Sequence, residues 1–310
     1  DANSFVRDLI LLENKLYVAG HFTNIGGAPR NRIAALDTTM NTNNATLWNP
    51  GANGEVYTIA LSAIDLSTDV LTLYAGGEFT TIGGQNRNRI AALNVFLNTN
   101  NATSWNPNAD GTVFSLATAS GRVYAGGQFQ NIGGAGRARF AALDVNSGSA
   151  VSPVLTAGDD VEAIAIRQSV LFVGGGFNSI GGVRRNQLAA CDATTGVTTS
   201  WNPDPNGLVL ALTTVAGGPI YAGGTFTTIG GADRNNIAAL DSSTGAATGW
   251  DPNSNSGVTT LFPSGSIIYA GGHFSNIGGS NRSRIAALDA TINTNNATNW
   301  NPNGGGNAPL

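Results

Sequence analysis

The chain has 310 residues, of which 11% are charged, with a net charge of −4 and one lysine, Lys15, among its 15 cations. That balance offers no basic field for nucleic acid or anionic lipid. No apolar run approaches the ~20 residues of a membrane-spanning helix, and the lone cysteine, Cys191, excludes an intramolecular disulfide.

From its first residues the sequence repeats itself. The phrase VYAGGQFQNIGGAGRARFAALD at 123–144 recurs from Leu16, Leu73, Leu171, Ile220 and Ile268, with successive starts 57, 50, 48, 49 and 48 residues apart. A period in the high forties points to a propeller or a solenoid. Asp1 opens in mid-repeat, so the numbering is expected to begin at a mature or excised boundary.

Within each copy the first strand is apolar and alternating: Val6 to Leu11, Val56 to Leu61, Val113 to Ala117, Val161 to Ile166, Leu208 to Leu212 and Val258 to Phe262. The VYAGG segment is the second strand, with paired glycines where a side chain would obstruct neighbouring backbone. The IGG that follows is a turn, because glycine accepts positive φ. RIAAL is the third strand, closed by Asp and, in shorter copies, by a turn at Gly148 or Gly196. A fourth strand ends in Trp-Asn-Pro or Trp-Asp-Pro, and no stretch has helical periodicity.

Four strands per repeat predict an all-β, six-bladed β-propeller with four antiparallel strands per blade. The blades are expected at 1–50, 51–107, 108–155, 156–203, 204–252 and 253–303, each contiguous in sequence, in one domain with a tail at 304–310. Blade 2 adds a longer loop from Ser62 to Asp69.

The order of an apolar strand, Y-x-G-G, a strand ending in Asp and then Trp resembles the kelch repeat. More closely, YAGGxFTxIGGxxRxxIAALD…TxWNP resembles a family of secreted bacterial propeller repeats, related to those called delta-60 repeats, with no assigned function. The resemblance covers essentially the whole chain. It implies an extracellular or cell-surface setting and no particular activity. Kelch-like copper oxidases need a cysteine-linked tyrosine, whereas Cys191 stands where other copies have leucine and reads as a small buried apolar residue. Sialidase boxes are absent, as are G-x-S-x-G, H-E-x-x-H and phosphate-loop motifs.

Arginine follows the turn in every copy, at Arg30, Arg87, Arg137, Arg185, Arg234 and Arg282. Its fork suits locking a turn through carbonyls, or through Asp37, Asp144, Asp192, Asp241 and Asp289, acids that also suit turn capping. Trp48, Trp105, Trp201, Trp250 and Trp300 share one slot, taken by Pro153 in blade 3, and are expected to seal the gap between blades.

The x of GGxF varies inside an otherwise fixed segment and holds His21, Glu78, Gln128, Gly176, Thr225 and His273. It is therefore expected at the surface, and His21, Glu78 and His273 form the candidate binding set, with a metal ion as the weaker reading. Blades 1, 2 and 6 also share the loop NTNNAT, whose sequons at Asn44, Asn101 and Asn296, with a fourth at Asn281, could carry glycan. These three blades are the expected contact surface. Asn/Asp-rich loops before the first strands favour turns, with calcium the alternative ion. Asp8, Glu55, Asp160 and Glu162 are the acids that could meet at a channel mouth.

The expected function is a non-catalytic, extracellular or surface-displayed interaction module or scaffold with no resident cofactor. Its partner would be a surface protein, a glycan or copies of itself. The alternatives are a structural subunit of a filament, sheath or surface layer, and a glycan-active enzyme.

Overall fold

The computed structural model describes residues 1–62 and 71–302. The expected blade-2 loop beyond Ser62 and the expected tail lie outside these residues. The chain comprises two compact units, Asp1–Thr156 and Ala157–Leu310, each holding three repeats. Among the described residues the regular structure is all β, and each sheet is drawn from a single repeat.

In the first repeat Val6–Leu12 pairs antiparallel with Lys15–Gly20, which pairs in turn with Ile33–Asp37. The other repeats keep this three-stranded order. Between the second and third strands stands a separate two-stranded hairpin, such as Asn24–Ile25 with Ala28–Pro29. Gly26 and Gly27 sit at φ 61° and 79°, the left-handed pair that a two-residue hairpin of this hand requires.

The expected fourth strand is much reduced. Among the described residues only the third repeat has one, Ala150–Val151, paired to Phe140–Asp144. Elsewhere a single bridge remains, such as Leu36 to Ala45 or Leu93 to Ala102. The cause lies in the Thr-x-Trp sequence: the threonine Oγ1 takes the Trp backbone N–H, at 3.3 Å for Trp48 and 3.2 Å for Trp105. The proline two residues on has no N–H to give a ladder.

Most of the apolar core lies in seams between successive repeats, with a smaller cluster of Val18, Phe22, Ile25 and Ala34 inside the first. Tyr17, Ala19, Ile33, Ala35 and Trp48 of the first repeat pack with Val56, Ile59, Leu73, Ala75 and Leu93 of the second. The same arrangement joins repeats 2 and 3, 4 and 5, and 5 and 6. Each buried tryptophan crosses its seam. Trp48, Trp105, Trp201 and Trp250 donate their indole N–H to the main-chain oxygens of Asn94, Asp144, Asp241 and Asp289, at 3.1, 2.9, 2.9 and 3.0 Å.

The last glycine of each second strand permits a close approach. A Cβ on Gly20, Gly77 or Gly127 would collide with the carbonyl oxygen of Phe5, Glu55 or Thr112, just ahead of the first strand. The predicted result is that Gly127→Ala destabilises the protein by about 1–3 kcal/mol. Gly136→Ala, whose Cβ would meet nothing nearer than 3.9 Å, should leave the urea midpoint almost unchanged.

Candidate functional site

The carbonyl that collides with an added Cβ has a second role. Phe5, Glu55, Thr112, Asp160, Leu208 and Gly257 accept the backbone N–H of His21, Glu78, Gln128, Gly176, Thr225 and His273, at 2.8 to 3.0 Å. Each variable GGxF residue is thereby clamped beside the start of its repeat's first strand. One residue later the strand register slips in all six repeats, between Val6 and Asp8 and at the equivalent positions. The extra residue at these β-bulges is Arg7, Tyr57, Phe114, Glu162, Leu210 or Thr259. Bulges re-aim a side chain out of the alternating pattern, so two variable positions per repeat come together at one edge of the sheet.

In the first unit the bulge residues touch one another. The Arg7 guanidinium lies 5.8 Å from the Phe5 ring centre and 5.5 Å from that of Tyr57. Its Nε donates to Glu55 at 2.7 Å. Tyr57 meets Phe114 edge-on at 5.6 Å and donates its hydroxyl to Glu78 at 3.0 Å. Burial, then the bond to Glu78, pushes the Tyr57 phenol well above its ordinary value. Phe5 and Arg7 remain 45% and 46% exposed. The result is a pre-ordered ledge of aromatic rings, one cation and two carboxylates.

The signal for this ledge was in the sequence. The residue after each strand-opening Val varies among Arg, Tyr, Phe, Glu, Leu and Thr while the Val itself does not. It differs from the GGxF slot only in being hidden within an apolar strand.

Of the candidate binding set, Glu78 joins the ledge. His21 is exposed with its Nδ1 3.3 Å from Ser4 Oγ, and His273 is an exposed residue of the second unit. Among the described residues no three His, Cys, Asp or Glu side chains gather as a metal site. The Asn/Asp-rich loops spend their side chains on hairpins. Asn53, Asp110, Asn206 and Asn255 each accept two successive backbone N–H groups from the residues after GGxF.

The six turn arginines hold backbone. Arg30 donates to Pro29 O and Thr46 O, and Arg87, Arg185, Arg234 and Arg282 repeat the pattern, whereas Arg137 keeps only the local bond to Gly136 O. Their expected carboxylate partners are engaged elsewhere. Asp37, Asp144, Asp192, Asp241 and Asp289 cap the turns that follow them, which holds each carboxyl below its ordinary range. Cys191 is fully buried and its thiol is pushed up to about 11 by that burial.

The sequons fare differently from one another. Asn101 and Asn296 are 1% exposed, with Nδ2 donating to Leu97 O and Ile292 O at 3.2 Å, so neither presents a free amide for a glycan. Asn44 is half-buried with its Nδ2 directed at Asp37 O and Met40 O, and Asn281 alone is exposed. NTNNAT is a packing element. Its second-last asparagine in each copy, Asn43, Asn100 or Asn295, holds φ near 50° and lies against Gly27, Gly84 or Gly279 of the hairpin turn.

The acids do not share one place. Asp8 points into the seam between repeats 1 and 2, where it accepts the N–H of Ile59 and of Leu9, each at 2.8 Å, and burial raises it to about 6. Glu55 belongs to the ledge. Glu162 is raised to about 7 by burial first and by the charge of Asp160 second.

With this geometry in view, similarity to known proteins becomes informative. Residues 14–38 and 72–94 match the family model described as domain of unknown function (DUF5122) beta-propeller. These segments of the first two repeats are similar to a propeller repeat of unassigned function. No curated protein sequence matches the chain. The computationally designed Ika8 protein is 13% identical with a TM-score of 0.55, across 94% of this chain and 85% of that one. The Pan2 WD40 domain of Neurospora crassa is 15% identical with a TM-score of 0.50, across 79% of this chain and 65% of that one. At these identities the likeness is one of fold alone.

Glu162 supplies a pH prediction. Its folded value lies above its unfolded one, so its contribution to stability is complete below about 4.5 and is lost as pH rises through about 7. Glu162→Gln should therefore flatten the fall in urea midpoint between those pH values. It should also leave the variant more stable than the parent at pH 8, by on the order of 1–2 kcal/mol after allowance for partial exposure. An unchanged pH profile would contradict this.

Proposed function

We propose that the protein is a non-catalytic, extracellular or surface-displayed interaction module. Each of its six repeats acts as one propeller blade, with its fourth strand reduced to a bridge or, in the third repeat, to two residues, and the ledge of the first unit is the recognition surface. The observation that carries this reading is the ordering of Arg7 between two rings while Glu55 holds its Nε. A ligand meeting it pays little entropy to fix a long side chain. Arginine and tyrosine set among polar neighbours are also the residue types that dominate binding energy at protein contacts.

Hydroxyl-rich ligands suit the same surface. The half-exposed Phe5 and Phe114 rings offer apolar faces, and Glu55 and Glu78 offer acceptors beside them. The equivalent bulge positions of the second unit, Glu162, Leu210 and Thr259, carry no ring. A surface whose charge is this sparse, with Asn, Thr, Ser and Gly in place of lysine, supports the extracellular assignment.

The test is a glycan array with and without calcium, paired with titration of any hit against Tyr57→Ala and Arg7→Ala. Selective binding weakened tenfold or more by either substitution is the expected result. Binding that survives both would remove the ledge as the site, and calcium dependence would move the site toward the Asn/Asp-rich loops.

A further inference from the structure

The ledge of the first unit builds the same kind of group twice, and supplies a cation of its own to only one. In the first group the rings of Phe5 and Tyr57 and the carboxylate of Glu55 hold the Arg7 guanidinium, at 5.8, 5.5 and 2.7 Å. In the second, the rings of Tyr57 and Phe114 meet edge-on at 5.6 Å, and Glu78 Oε1 accepts the Tyr57 hydroxyl at 3.0 Å. The bulge positions of repeats 1, 2 and 3 read Arg7, Tyr57 and Phe114, so the second group has two rings and a carboxylate. Among the described residues Glu78 forms no ion pair, and its Oε2 accepts no hydrogen bond.

Charge decides what such a group attracts. Arg7 and Glu55 neutralise each other at 2.7 Å, which leaves the Glu78 carboxylate as the net charge of the ledge. Aromatic faces carry negative potential, and a carboxylate beside them adds to it, so the complementary ligand is a cation. Arg7 shows which cation these residue types suit. A guanidinium is planar and weakly hydrated, and it lies on a ring while its edge bonds a carboxylate, whereas an ammonium holds its water more strongly.

We propose that Tyr57, Phe114 and Glu78 form a subsite for an arginine side chain of a protein partner. This rests on the ledge being the recognition surface and names what it recognises. The arriving guanidinium lies against Phe114 and bonds to Glu78. The Tyr57 hydroxyl already fixes that carboxylate, so little freedom is lost on binding. The second unit has no counterpart, because Glu162, Leu210 and Thr259 at its bulges carry no ring.

Nitrogen-15 NMR titration of the whole chain with acetyl-Gly-Arg-Gly-amide tests this, against the same peptide carrying citrulline, the uncharged analogue of arginine. The expected result is saturable shifts at the Glu78 and Phe114 amides, with the citrulline peptide weaker by about tenfold. Glu78→Gln, at an exposed position, should weaken the arginine peptide about fivefold, as should Phe114→Leu, which keeps the apolar volume and loses the ring. No saturable shift, equal binding of the two peptides, or arginine binding that neither substitution weakens would overturn the proposal. Glucosamine bound as tightly through the same residues would also overturn it, in favour of amino sugars. Any of these failures leaves the ledge reading in place if another ligand still depends on Tyr57; ligands that all ignore Tyr57→Ala would remove both.

Discussion

The constraint on which this structure depends is that a repeat buries most of its apolar surface only against a neighbouring repeat. Within each unit successive three-stranded sheets pack face to face, and most of the core is the sum of those seams. The tryptophan makes the seam directional. Its ring fills the gap while its N–H is satisfied by a neighbouring carbonyl, so a large side chain enters the core without stranding a polar atom. A given repeat is stable because of its neighbours, as in other quasi-one-dimensional arrays.

A second constraint places the chemistry. The close approach of a carbonyl to the GG pair locks the start of the first strand against the end of the second, and the adjoining bulge turns one side chain out of the sheet. Framework and variation are thus separated within a few residues. Glycine, valine and phenylalanine are dictated by packing, while the GGxF and bulge positions are free to differ. In the first unit those positions hold Arg7, Tyr57, Phe114 and Glu78; in the second they hold Glu162, Leu210, Thr259 and His273. The scaffold is common to both units and the surfaces it displays are not.

Much of this was legible in the sequence, for physical reasons. Strand order and the repeat follow from alternation and from glycine pairs, which have few other uses at that spacing. The arginines were readable as backbone locks because every repeat needs its turn held. What the sequence concealed were competitions between equals. Thr46 and Thr103 could have continued a fourth strand, but their hydroxyls capture the following tryptophan amides. The sequon asparagines were surface polar residues by composition, and Asn101 and Asn296 are buried because the loop folds over the hairpin glycines. The bulge residues hid inside an apolar run, since a one-residue slip in register leaves no mark on alternation. The exposure of Trp300, which shares the Thr-x-Trp-Asn/Asp-Pro frame of four buried tryptophans, has no mark in its own local sequence.

The measurement that bears most directly on the seam account is hydrogen exchange at the five indole N–H groups, followed by nitrogen-15 NMR in dilute solution. Trp48, Trp105, Trp201 and Trp250 should exchange slowly, each held by the main chain of the following repeat, while Trp300 should exchange at close to the rate of a free indole. Five indoles exchanging alike, or a freely exchanging indole among the four, would contradict the account.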